Sequence, residues 1–66
     1  MSVAKVVEIS ATSSESFDDA VRQGVAKASE TLRNIRSVWV KEQRASVDNG
    51  AIVEFQVNLQ VTFVLE

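Results

Sequence analysis

The chain has 66 residues, a formal net charge of −2 and neither Cys nor His. That length allows a single domain over residues 1–66, which as a monomer would hide only about 60% of its unfolded surface. The composition excludes disulfide staples, the usual zinc sites, thiol or imidazole catalysis and a Ser-His-Asp triad. A hydrophobic content of 45% is that of a folding chain, and a small core without staples points to oligomerisation as the source of the missing burial. The acidic balance argues against binding to nucleic acid or anionic membranes by bulk charge. No apolar run approaches the length of a membrane span. The opening Met1-Ser2-Val3-Ala4-Lys5 lacks the pattern of a signal peptide, so the expected location is cytoplasmic.

The first predicted element is a strand over Val3–Ser10, rich in β-branched residues, with Val3, Lys5, Val7 and Ile9 on one face. Thr12-Ser13-Ser14-Glu15 has the spacing of a capping box and predicts a helix start. Phe17, Ala20, Val21, Gly24, Val25, Ala28, Leu32 and Ile35 then recur at steps of three and four. They predict an amphipathic helix that ends near Asn34, a residue tolerant of the left-handed conformation. Gly24 and the neighbouring alanines make that helix slim, so a sheet can approach its backbone.

Ser37–Val47 reads as a second strand, with Val38 and Val40 on one face and Ser37, Trp39, Lys41 and Gln43 on the other. Asp48-Asn49-Gly50 predicts a hairpin turn. The third strand, Ala51–Glu66, alternates most cleanly: Phe55, Val57, Leu59, Val61, Phe63 and Leu65 share one face. The expected fold is α+β, in the order β-α-β-β, with a three-stranded antiparallel sheet wrapped around one amphipathic helix.

The other face of strand three carries Gln56, Asn58, Gln60, Thr62 and Val64, none of them charged. A fully solvated face usually recruits Lys, Glu or Arg. An amide-rich one can be covered by another subunit, because amides pair across a contact. Trp39 falls on the matching face of strand two, and Trp is enriched at interfaces and binding sites. No carboxylate pair is recognisable in an apolar setting, so the chain does not read as an enzyme, and no metal ligands are assigned.

These elements resemble the dodecins, small bacterial and archaeal flavoproteins. The resemblance runs through Lys5-Val6-Val7-Glu8-Ile9, Thr12-Ser13, Ala28–Leu32, Val40-Lys41-Glu42 with Arg44, and above all the ending Phe55-Gln56-Val57-Asn58-Leu59-Gln60-Val61-Thr62-Phe63-Val64-Leu65-Glu66. It implies a sheet curled around the helix and a hollow shell of twelve copies, a homododecamer. It also implies a flavin cofactor, FMN or riboflavin, bound in pairs between subunits for storage and buffering. The rings would stack between Trp side chains, and the Gln that hydrogen-bonds the ring corresponds to Gln56. Arg44 would be a phosphate or subunit contact.

The chain departs from that pattern at the stacking position. The family's Trp corresponds to Ser37, and this chain's Trp39 lies two residues on, along the same face by about 6.6 Å. Ala11 and Ala45 stand where the family has Gly, and Val64 where an Arg is often found. Dodecin-like proteins without the flavin Trp include calcium binders, and the pairs Ile35-Arg36 and Glu42-Gln43 resemble that branch. The site residues expected for flavin are therefore Trp39, Gln56, Arg44 and Ser37, with a shell devoted to an ion, another ligand or structure as the alternative.

Overall fold

The computed structural model describes residues 2–65. Four elements follow in the order β1 (Val3–Ser13), α1 (Phe17–Ala28), β2 (Ile35–Asp48) and β3 (Ala51–Leu65). The strands form one antiparallel sheet ordered β1-β3-β2, and α1 packs on one face of it. The fold is α+β and β-α-β-β, as its sequence predicts. Glu66, the last residue expected in strand three, lies outside the described residues.

β3 sits in the centre, and its alternation decides what each face does. Val57, Leu59 and Val61 point to the helix and are fully buried. Ala20 of α1 completes this core, with Val7, Ile9, Ala11, Phe17, Val21, Leu32, Ile35 and Val38 packed around it. Phe17 meets Phe55 edge to face at 5.0 Å, which ties the first turn of the helix to the sheet.

The helix comes close because its contact stripe is small: Ala20, Gly24 and Ala28 are buried. A Cβ at Gly24 would stand 3.0 Å from Leu59 Cδ1 and 3.1 Å from the Ala11 Cβ. Leu59 could rotate, but the Ala11 methyl is fixed to the strand backbone.

Besides β2, which runs Ile35–Asp48 where Ser37–Val47 is expected, three element boundaries differ from expectation. First, β1 runs on through Ser13 instead of stopping at Ser10, because its pairing with β3 continues as far as Ser13–Phe55. Second, the helix is capped by Ser16 rather than by the Thr12–Glu15 box. The Ser16 hydroxyl accepts from the Asp19 backbone N–H at 2.9 Å. Ser13, the one buried polar residue among those described, braces this turn. Its hydroxyl donates to the Asp19 carboxylate at 2.6 Å and accepts from the Glu15 backbone N–H at 2.9 Å.

Third, the helix stops at Ala28, six residues before Asn34. Its last carbonyls keep backbone partners, Val25 O from Ser29 N–H at 2.9 Å and Ala28 O from Leu32 N–H at 2.8 Å, and the Ser29 and Thr31 hydroxyls donate to the same two oxygens at 2.8 and 3.4 Å. Asn34 does take the left-handed conformation, with φ 61°, but where the chain turns into β2. Leu32 and Ile35 still reach the core, from a turn and a strand. The hairpin is as expected, with Asn49 and Gly50 both at positive φ, the pattern of a two-residue type I′ turn.

β2 holds the largest surprise. Its pairing with β3 shifts between Val40 and Glu42, so Lys41 is an extra, bulged residue. The bulge reverses the alternation beyond it. Gln43, expected on the outer face with Trp39, pairs with Val57 on the helix side, and Arg44 pairs with Gln56 on the outer face.

The molecule is long and thin, 51 × 19 × 13 Å, with a radius of gyration of 13.5 Å, where a compact chain of this length gives about 11 Å. It exposes 4861 Å², against about 4100 Å² for a compact monomer of its mass. Val47, Ile52 and Val53 near the hairpin tip and Val40 on β2 are exposed. No helix among the described residues is long and apolar enough to cross a membrane.

Two outcomes follow. Gly24→Val should overpack the helix–sheet contact and cost about 1–3 kcal/mol, read as a lower urea midpoint; an unchanged midpoint would show that the contact is loose. The second concerns Asp19, whose carboxyl is held below its ordinary value by the Ser13 hydroxyl first, then by Gln23 and Arg22, against the opposing effect of burial. The folded state therefore takes up this proton less readily than the unfolded chain. The stabilisation is complete above the unfolded value, near 3.8, and is lost as pH falls through the lower folded value. The stability advantage of wild type over Asp19→Asn should accordingly shrink between pH 7 and pH 3, and an advantage equal at both would contradict the assignment.

Candidate functional site

The outer face of the sheet, opposite the helix, gathers the polar residues of all three strands. β1 contributes Glu8, Ser10 and Thr12, which pair with Gln60, Asn58 and Gln56 of β3. β2 contributes Ser37, Trp39, Glu42 and Arg44, which pair with Thr62, Gln60, Asn58 and Gln56. The order is set by period-two alternation along β3 and by the bulge at Lys41 along β2.

One end of this face is a connected set of hydrogen bonds. Arg44 Nη2 donates to Gln56 Oε1 at 2.9 Å. Gln56 Nε2 donates to Ser10 Oγ at 3.1 Å and to Asn58 Oδ1 at 3.4 Å. Asn58 Nδ2 in turn donates to Glu42 Oε1 at 2.8 Å. Glu42, Arg44, Gln56 and Asn58 line a shallow concavity of about 400 Å³. Polar walls, both signs of charge and amides with spare hydrogen-bonding capacity suit it to the polar edge of a small molecule.

The other end is aromatic. Trp39 lies opposite Gln60 and is 74% exposed. Trp is enriched at interfaces and binding sites, which makes an indole this open a candidate contact for a partner. Next to it Lys41 Nζ crosses over β3 to reach Glu8 Oε1 at 3.2 Å, an ion pair whose members are each about half exposed and which contributes at most about 1 kcal/mol. Ser37 is exposed one step further along β2, opposite Thr62.

The four expected site residues thus share one face. Arg44 and Gln56 touch. Trp39 does not touch either, because Gln60 and Gln56 are four residues apart on β3, about 13 Å along the strand. Ser37 lies further still. Sequence reasoning missed Glu42 and Ser10 as partners of this set. Ser10 was legible from the outward phase of Glu8 on strand one, whereas Glu42 was hidden by the bulge. No group of three or more acidic side chains among the described residues is placed to hold a metal ion.

The family model for dodecin matches residues 3–66. A dodecin from Thermus thermophilus is 39% identical over 64 residues, which cover 97% of this chain and 93% of the relative. The calcium dodecin of Mycobacterium tuberculosis is 35% identical over 63 residues, covering 96% and 89%, and its crystal structure superposes with a TM-score of 0.83. The structure of the dodecin from Streptomyces davaonensis superposes with a TM-score of 0.93 at 37% identity, covering 98% of this chain and 96% of that one. Strand order, length and sequence therefore agree, and the chain belongs to the dodecin family.

Proposed function

We propose that the protein is a flavin-binding and flavin-buffering module that works as a homododecameric shell in the cytoplasm, holding its ligand without turning it over. The observation that carries this reading is the outer sheet face: an exposed Trp39 on β2 and a hydrogen-bonded Gln56 on the central strand β3, in a chain of the dodecin family. Trp39 would stack on the isoalloxazine ring of FMN or riboflavin, and Gln56 would bond its polar edge. Arg44 supports Gln56 and offers a cation to a phosphate. Ser37 leaves room beside the indole where the family resemblance implies a Trp. The distance between Trp39 and Gln56 within one chain favours a pocket in which different copies supply the two.

Assembly is supported by the excess exposed area and by the open apolar residues at the hairpin tip. A second reading has its own support. The calcium dodecin relative and Ser37 at the stacking position favour a shell that binds an ion or another ligand instead of flavin.

Light scattering after size exclusion should give about twelve times the chain mass of 7.2 kDa. Gln60→Lys should break the assembly, because it sets a second ammonium beside Lys41, whose partner Glu8 is already engaged, and a charge buried without a partner costs several kcal/mol. A variant that stays assembled with an unchanged melting temperature would mean that this face stays open to solvent.

Riboflavin or FMN added to the protein should lose fluorescence on binding. Stacking on an aromatic side chain contributes about 1–3 kcal/mol, so Trp39→Ala should weaken binding at least tenfold, about 1.4 kcal/mol. If wild type leaves flavin fluorescence unquenched at high micromolar concentration while calcium raises its melting temperature, the second reading replaces the first.

A further inference from the structure

The hydrogen bonds around Gln56 have a direction. A guanidinium can only donate and an ionised carboxylate can only accept. Arg44 donates to the Gln56 carbonyl at one end, and Glu42 accepts from the Asn58 amide at the other. The amides between these charged ends can be joined in only one sense, Arg44 to Gln56 to Asn58 to Glu42. Turning the Gln56 amide over would set its NH₂ against the guanidinium. It would also leave Asn58 Oδ1 facing another acceptor.

Counting capacity gives the consequence. The Gln56 NH₂ has two hydrogens, and both have partners, Ser10 Oγ and Asn58 Oδ1. Its carbonyl oxygen has two lone pairs, and Arg44 takes one. What Gln56 can still offer to a ligand over the outer face is a single acceptor. An amide free to turn would offer either a donor or an acceptor, and would discriminate little.

We infer that Arg44 and Glu42 are positioning residues that lock Gln56 with its carbonyl available, so that the site selects a flat ligand whose edge presents an N–H donor. The inference rests on the flavin reading for the identity of that ligand. A flavin has one such donor on its polar edge, the imide N3–H, between two carbonyl acceptors. A site built to accept this hydrogen rejects an analogue that lacks it, because the polar group is left unpaired. Arg44 makes one bond to Gln56 rather than a bidentate pair, so a lysine, also a cationic donor, can substitute for it here.

The test compares the dissociation constants of riboflavin and N3-methylriboflavin by fluorescence quenching. Four proteins are compared, each checked for assembly by light scattering: wild type, Arg44→Lys, Arg44→Met and Gln56→Leu. Wild type should prefer riboflavin at least tenfold, and Arg44→Lys should keep most of that ratio. Arg44→Met should lower the ratio towards that of Gln56→Leu, whose residual preference measures the bulk of the methyl group alone. A wild-type ratio retained in Arg44→Met, or in Gln56→Leu, overturns the inference.

A second measurement does not need a flavin. The side-chain NH₂ protons of Gln56, followed by NMR, should exchange with solvent several-fold more slowly in wild type than in Arg44→Met. If no flavin binds but this protection is seen, the flavin reading fails and the lock stands. If the NH₂ exchanges in wild type as fast as a free amide, there is no lock.

Discussion

The structure depends on one strand that is hydrogen-bonded on both sides. β3 pairs with β1 along one edge and with β2 along the other, so neither of its faces can be adjusted without moving two neighbours. Its alternation therefore commits Val57, Leu59 and Val61 to the helix and Gln56, Asn58 and Gln60 to the opposite side. A slip of one residue against either neighbour would exchange core and site at a stroke. The same strand that builds the core builds the polar outer face, and the two are separated only by the pleat.

The bulge at Lys41 is what makes that face complete. Without the extra residue, β2 would continue in phase from Val38 and Val40, and Arg44 would point at the helix side. With it, Glu42 and Arg44 stand opposite Asn58 and Gln56, and the charged ends meet the amides they orient. The bulged Lys41 is used as well, spanning the sheet to Glu8. Bulges recur beside functional sites because they re-aim side chains without breaking the sheet, and this one does so for two residues of opposite charge. The core on the other face gains no such help. The contact stripe of α1 is Ala20, Gly24 and Ala28, which brings helix and sheet close but buries little apolar area. A thin core on one side and an open Trp39 on the other leave the same deficit, which more copies of the chain would make good.

The fold was largely legible in the sequence because the strongest signals were periodic. Six alternating apolar residues from Phe55 to Leu65 identify the central strand, and Asn49-Gly50 identifies the hairpin. What was hidden is where a pattern continues across a change of structure. Leu32 and Ile35 extend the helical spacing of Ala28 because they fill the next positions along the same core, although one sits in a turn and the other in a strand. Ser29 and Thr31, whose hydroxyls bond the last carbonyls of the helix, look in sequence like ordinary surface residues. Thr12–Glu15 had the spacing of a cap, but β1 still needed Thr12 and Ser13 for pairing, so the role passed to Ser16. A bulge leaves no mark in a single sequence, since Lys41 is as plausible paired as unpaired. For that reason Arg44 was assigned from resemblance, and its contact with Gln56 came only from the register.

The offset between Ser37 and Trp39 is set by the same register. Ser37 stands opposite Thr62 and Trp39 opposite Gln60, so moving the aromatic from one position to the other carries it one step along β3 towards Gln56. The gap between the aromatic position and Gln56 shrinks from about 20 Å to about 13 Å along the strand. In a pocket shared between copies, that step would change which part of a flat ring the indole could cover while a locked Gln56 carbonyl would hold the ring edge. The indole and the amide answer to different forces, dispersion over an area and a directed bond at a point. The first tolerates sliding and the second does not. A ligand held by both would therefore keep its edge at Gln56 and accept whatever overlap Trp39 then allows, which makes the orientation of Gln56, set by Arg44 and Glu42, the term that decides the pose.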